Sequence, residues 1–372
     1  MTLFSNAFVA CSPMFAAYKP QHGDLLMLPL PIKRLLVETA RGVGRLPGIA
    51  RLSSPLRGNP VIVGYHRVLP RDQWQEYPCI HADLAVTPAL FSEHMAYWAA
   101  NATPISMDDV AQGNLPRQAV AVGFDDFYAD VALHALPILE KYNIPAVLYL
   151  CTDFVEGTPF LWWYGIDAAV NSGEKHLDLH FAGEHFTGPL RTPSQRLSMF
   201  RRLNAFCFKQ SEEQQRLFIE CLGTTRHCYQ REALPTWEMV GKLAAHPLVT
   251  IGAHTLNHGA LGTLSEHECQ RQMQQSRLLI EEKLGKPVRH LAYPFGGHNA
   301  AWNREYALAA ELGFATAVTT ERGTNSSSTS QHALFRSVVL QEHGLSMLDS
   351  LNTGWDNALR NARKCISGRA HA

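Results

Sequence analysis

The sequence predicts an α/β fold in which parallel strands and crossover helices close into a barrel, interrupted once by a long insertion. Three observations carry this reading. From residue 60 onward, short apolar runs alternate with helical patterns, the rhythm of strands joined by crossover helices. No dinucleotide-type glycine fingerprint accompanies the rhythm, which favours a barrel over an open nucleotide-binding sheet. The stretch from about 155 to 235 breaks the rhythm and reads as an inserted, largely helical subdomain.

The elements follow in order. "VIVGYH" at 61–66 reads as a buried strand, and Thr87 caps a helix that has Pro88 at its first position. "AVAVGF" at 119–124 is the next strand, and the helix after it carries Pro137, which should kink or restart it. "PAVLYLCT" at 145–152 and "LVTIGAH" at 248–254 are further strands. Ser265 and Glu268 form a capping box for a helix that Gly285 ends. "VRHLAYP", the helix "NREYALAAELG" and the strand "FATAVTT" continue the alternation. The insertion opens on "PFLWWYG" and ends in a helical pair; Trp162 and Trp163 either stack on a sugar ring or anchor the insertion to the core.

Residues 1–56 read as an N-terminal extension, 57–345 as the main domain and 346–372 as a C-terminal helix and tail. Within the extension, residues 31–46 place apolar side chains near one helical face and basic ones largely elsewhere. Such a helix lies on an anionic membrane surface or packs against the main domain, and the short pattern favours packing.

Composition excludes some classes. Lysine plus arginine and aspartate plus glutamate are 33 each, so no overall field marks a nucleic-acid binder. The eight cysteines include no CxxC pair and read as reduced, mostly buried thiols. No apolar stretch reaches the length of a membrane span, and the first twenty residues lack a basic n-region. A cytoplasmic protein, with residues 31–46 offering peripheral contact with the inner membrane face, is favoured over an exported one.

Chemistry concentrates at strand ends. "GFDD" puts Asp125 and Asp126 side by side after an apolar strand, an unfavourable pairing of like charges unless a cation offsets it. "HTLNH" supplies His254 and His258, a spacing suited to one metal ion on a loop with a helical turn. Alone, each motif is weak. In a parallel barrel both point into one cup at the carboxyl ends of the strands. Two histidines and one carboxylate then leave a divalent cation, zinc by ligand type, with open positions for water and substrate. The second aspartate stays free to take a proton. "AYPFGG" adds Tyr293 and Pro294 in an extended turn, with glycines that let the backbone approach a ligand.

With the order strand-FDD, HTxxH and YPFG in view, the chain resembles the polysaccharide deacetylases, the NodB-homology group of carbohydrate esterase family 4, over roughly residues 60 to 340 apart from the insertion. The resemblance implies an irregular (β/α)7 barrel and metal-dependent removal of acetyl from an N-acetylated amino sugar. It implies Asp125 as base, Asp126, His254 and His258 as metal ligands, and the Phe295 N–H as oxyanion donor. In the third motif Ala292 stands where the family has an arginine that orients the base, and no further aspartate is found to go with it. "VGYHRVLP" resembles an exopolysaccharide-deacetylase branch in which the first strand supplies the general acid, so His66 ranks ahead of His343 and His298. "ALFRSVVL" resembles the Leu-x-Arg strand that closes the domain in that branch, and Arg336 reads as structural. The resemblance implies an oligo- or polysaccharide substrate, and the length of the insertion suggests a restricted cleft suited to a short or lipid-linked saccharide. The missing arginine leaves a second reading, a catalytically impaired sugar-binding protein on the same barrel; an amidohydrolase or deformylase acting on another C–N amide is a third.

Overall fold

The computed structural model describes residues 59–357 and 360, apart from 114, 117, 158 and 225–232. The extension 1–56, including the helix expected at 31–46, and most of the C-terminal tail lie outside the described residues.

Among the described residues twelve strands form: β1 (Val61–Tyr65), β2 (Arg67–Val68), β3 (Ala85–Val86), β4 (Thr103–Pro104), β5 (Ala119–Phe124), β6 (Ala146–Leu150), β7 (His176–Phe181), β8 (Glu184–Pro189), β9 (Val249–Ala253), β10 (His290–Ala292), β11 (Thr316–Val318) and β12 (Ser337–Val338). Seven of them line up as β11-β10-β9-β6-β5-β1-β12, with β4 added on β5, and every pairing in this sheet is parallel. The segment at 334–338 touches both ends of the sheet. Leu334 bridges to Val318 of β11, and Ser337 and Val338 pair with β1. The sheet is therefore curled, with its two edges drawn toward one short segment.

The apolar runs become strands because both of their faces are buried. One face, with Val63, Val122, Leu148 and Ile251, packs on the crossover helices. The other lines the inside of the curl with Ile62, Ala121, Val147, Tyr149, Ala292 and Val318. Tyr149 fits there because Gly252 lies against it: a Cβ at 252 would stand 2.6 Å from the tyrosine ring.

Helix punctuation follows the sequence with two amendments. Thr87 accepts from the Leu90 N–H at the start of Pro88–Asn101, and Gly285, at φ 62°, ends Glu266–Leu284. Ser265 caps that second helix by accepting from the Glu268 N–H. The reciprocal bond of a capping box does not form, because the Glu268 carboxylate is drawn to Arg271 at 2.6 Å and Gln272 at 3.0 Å. Before Pro137 the chain winds as a π-turn over Val131–Ala135 and restarts as an α-helix at Leu136, which accommodates the missing proline donor.

The stretch after β6 forms a helix at Trp162–Val170, the helical pair Pro193–Cys207 and Glu212–Cys221, and an unforeseen antiparallel hairpin, β7–β8, between them. Together they enclose a separate apolar cluster that includes Phe160, Trp163, Phe200, Leu203 and Phe218. Phe295, from the loop after β10, belongs to the same cluster and ties this segment to the main sheet. The five described cysteines are free thiols, four of them buried. Among the described residues no helix is long and apolar enough to cross a membrane.

Candidate active site

Each motif residue sits one position past a strand end on the same rim of the sheet: His66 after β1, Asp125 after β5, His254 after β9 and Tyr293 after β10. Parallel strands bring all their carboxyl ends to one side, so residues far apart in sequence share one cup.

Asp126, His254 and His258 converge there, each buried, with one ligand atom apiece and all three atoms within 4.8 Å of one another. Asp126 Oδ1 lies 3.1 Å from His258 Nε2 and 3.4 Å from His254 Nε2. The loop that achieves this contains no helical turn, contrary to the expectation for "HTLNH". Instead Thr255 and His258 take left-handed backbone angles, φ 67° and 62°. Asp126, Phe127 and Phe295 do the same at 66°, 54° and 62°. Five non-glycine residues in this region of the map around one site amount to local strain that the surrounding packing must hold. Part of that hold is Gln272, a fully buried side chain whose oxygen accepts from the Leu256 and Asn257 N–H groups at 3.1 and 3.2 Å.

These three residues fit a metal ion. His254 Nδ1 faces the carbonyl oxygen of Ala292 at 2.8 Å. A carbonyl only accepts, so Nδ1 carries a proton, which leaves Nε2 as the atom that faces Asp126 and would bind a metal. Asp126 Oδ1 is buried without a hydrogen-bond donor. A cation between His254 Nε2 and Asp126 Oδ1, which stand 3.4 Å apart, would be held by both. Two imidazoles and one carboxylate suit a divalent transition ion.

Asp125 stands beside this group and is held by Arg336. Its two oxygens accept from Arg336 Nη1 and Nη2 at 2.5 and 2.6 Å, and Arg336 Nε donates to the Thr319 carbonyl at 3.1 Å. Arg336, expected as a structural residue, thus contacts the carboxylate, and the surroundings of Asp125 are built without an arginine at 292. Position 292 is an alanine, and Arg336, just before β12, enters the inside of the curl and reaches the Asp125 carboxylate directly. Gly64 makes the space: a Cβ there would stand 3.1 Å from the Arg336 side chain. Burial works to raise the pKa of Asp125, but the Arg336 charge and its hydrogen bonds, with His254 and His66, outweigh it and keep the carboxylate ionised. Asp126 is treated alike: burial opposes its charge, the two imidazoles favour it, and the net shift is well downward.

His66 is buried, with Nε2 3.9 Å from Asp125 Oδ2. Burial lowers its pKa more than Asp125 and Asp126 raise it. The other two histidines considered as acid are engaged elsewhere. His343 Nδ1 accepts from the Leu340 N–H at 3.0 Å, and exposed His298 lies against the Trp302 ring at 3.7 Å.

Aromatic side chains wall the site. Trp163 meets the His258 ring edge-on at 5.2 Å, Phe295 does so at 4.7 Å, and Trp162 stacks on Phe295 at 5.7 Å. Trp162 Nε1 also donates to Asn204 Oδ1 at 2.7 Å. Both indoles are almost fully buried, so of their two readings the geometry matches anchorage of the segment that carries them. Tyr293 is corrected more sharply. Its side chain is inaccessible, packs on Tyr306 and donates to the His332 carbonyl at 2.8 Å, so it belongs to the core and not to the substrate surface. Pro294 is buried in the same turn.

Fold and site together define a member of a known class. The chain belongs to the polysaccharide deacetylase family, whose model matches residues 112–184 and 201–317, just over half of its length. His66 and Arg336, the two residues that flank Asp125, lie outside the matched stretches. Over 115 residues the chain is 24% identical to the poly-beta-1,6-N-acetyl-D-glucosamine N-deacetylase of Staphylococcus epidermidis, a match that takes in 28% of this chain and 40% of that protein. Among solved structures it resembles the Streptococcus pyogenes deacetylase PplD in complex with acetate, at 18% identity and a TM-score of 0.51, over 78% of this chain and 96% of that one. IcaB from Ammonifex degensii is similar at 16% identity and a TM-score of 0.51, over 80% and 97%. A de-N-acetylase from Aggregatibacter actinomycetemcomitans is similar at 18% and 0.51, over 79% and 99%. At these identities the structural likeness shows the fold, and the fold is the α/β class read from the sequence.

Proposed function

We propose that this protein hydrolyses the acetamide of an N-acetylated amino sugar in a glycan or glycan precursor, releasing acetate and a free amine. The observation that carries the reading is the pairing of a three-ligand cluster, Asp126, His254 and His258, with an adjacent carboxylate that Arg336 holds ionised. Membership in the polysaccharide deacetylase family and the name of the Staphylococcus epidermidis relative support the substrate class.

Asp126, His254 and His258 would hold a divalent ion, zinc by ligand preference, which supplies Lewis acidity and lowers the pKa of water in the cup. Asp125 Oδ2 accepts a proton from the attacking water. Arg336 keeps this oxygen aimed and charged beforehand. The backbone at Phe295, on the rim after β10, is the candidate N–H donor to the developing oxyanion. His66 Nε2 delivers a proton to the departing nitrogen; it stands 3.9 Å from Asp125 Oδ2, so the proton taken by that carboxyl group returns to the imidazole through one water. One water is consumed, and the amine leaves neutral before it protonates in solution.

The same reading takes the curled sheet as an irregular (β/α)7 barrel and the segment from 155 to 235 as a subdomain over its rim. The bond from Trp162 to Asn204 and the Trp162–Phe295 stack support the second point. The test is acetate release from N-acetylglucosamine oligomers, measured before and after chelation and after zinc is restored. Activity lost with the chelator and recovered with zinc is the expected result. Full metal occupancy without turnover on poly-N-acetylglucosamine, chitin oligomers and formylated analogues would sink the proposal in favour of a sugar-binding protein.

A further inference from the structure

We propose a second metal site, on the outer face of the β7–β8 hairpin, in which Asp178, His180 and His185 bind a divalent transition ion of the zinc, nickel or copper type. The hairpin turns on Ala182 and Gly183, both left-handed at φ 48° and 81°, with Phe181 and Glu184 as the closing pair. This is the two-residue turn that matches strand twist, and in such a ribbon the residue pairs alternate between hydrogen-bonded and non-bonded. Counting back from the closing pair, His180 with His185 and Asp178 with Thr187 fall on non-bonded positions, where facing side chains come closest.

The side chains follow that geometry. The His180 and His185 rings lie parallel, 3.8 Å between centroids and 12° apart in plane. Asp178 Oδ1 sits 2.6 Å from His185 Nε2, and one ligand atom from each of the three residues lies within 4.8 Å of the others. The opposite face is fixed. Phe181 and Phe186 pack on Phe206 and Phe218 with ring centroids 5.1 to 6.0 Å apart. The ribbon is thus clamped from behind while three donors stand ready in front, so binding orders little that is not already ordered. Two imidazole nitrogens and one carboxylate oxygen select the same class of ion as the buried cluster. Here the ligands are exposed, so the remaining positions fall to water and the ion acts as a cross-strand tie. His185 also lies outside the stretches matched by the family model.

The experiment uses the full chain and zinc alone. In D126A/H254A, which removes the buried ligands, calorimetric titration is expected to show one ion per chain. Adding H180Q and H185Q should weaken that binding by at least about tenfold, since each substitution removes a nitrogen donor. Should D126A/H254A fail to fold, the titration is made on the native chain, where two ions are expected against one for H180Q/H185Q. Copper bound to D126A/H254A, or to the native chain as a second equivalent, should give an electron paramagnetic resonance signal split by nitrogen that H180Q/H185Q abolishes. Equal stoichiometry and affinity with and without His180 and His185 would overturn the site.

Discussion

Arg336 and Asp125, 211 positions apart, form a two-pronged ion pair inside the curled sheet, at 2.5 and 2.6 Å. Both are almost fully buried, and Gly64 leaves the room that the guanidinium occupies. A fork of this kind fixes both oxygens of a carboxylate, which a point charge cannot do.

Replacing Arg336 should therefore harm both activity and stability. R336K keeps a charge but loses the fork, and kcat is expected to fall on the order of a hundredfold while bound metal stays near native. R336M leaves Asp125 buried without its partner and should cost about 3–5 kcal/mol of unfolding free energy. Metal analysis, acetate release and denaturant unfolding check the two variants. A kcat for R336K within twofold of native would contradict the positioning role.

The two neighbouring aspartates should separate cleanly. D125N is expected to keep its metal and lose nearly all turnover, because the amide cannot accept the proton. D126N and H254A should lose both, since each removes a ligand. Metal content measured beside initial rates decides the matter, and equal metal loss in D125N would reverse the assignment.

Gln272 offers a test away from the reacting groups. Its oxygen satisfies two N–H groups of the loop that carries His258, and Q272A leaves both without that acceptor. A loss of about 1–3 kcal/mol is expected, together with weaker zinc binding. Zinc affinity unchanged in Q272A, even with lower stability, would show that the left-handed turn holds itself.

Two buried histidines outside the site predict acid sensitivity. Burial pushes His94 down to about 4, against its bond to the His343 carbonyl, and burial with the Arg67 charge pushes His81 down to about 3. Both rings are neutral in the fold. Their unfolded pKa is near 6.5, so their contribution is fully present above that value and is lost as pH falls toward the folded values. Between pH 7.5 and 5, His94 alone should remove about 2 kcal/mol. The difference between native protein and H94Q across that interval isolates the effect. Parallel stability curves for the two would refute it.

Much of this molecule was legible in its sequence because strands and caps are local. The apolar runs at 61–66 and 119–124 became β1 and β5, Thr87 and Gly285 punctuated their helices, and the paired motifs sit on one rim as parallel strands require. The β7–β8 hairpin was also written locally, in the alternation of His176, Asp178 and His180 with Leu177, Leu179 and Phe181 around Ala182-Gly183, although the helical pattern nearby obscured it.

Other features had no local trace. Nothing near Asp125 names Arg336 as its partner, nothing near His258 names Gln272, and the aromatic run at 162–164 does not say whether it faces sugar or core. Those identities depend on how the chain returns through space. The sequence by itself determined which backbone segments are strands and which strand ends carry charge; only the tertiary structure decided which distant side chains meet, because contact between them is set by the path of the sheet and not by the propensity of either residue.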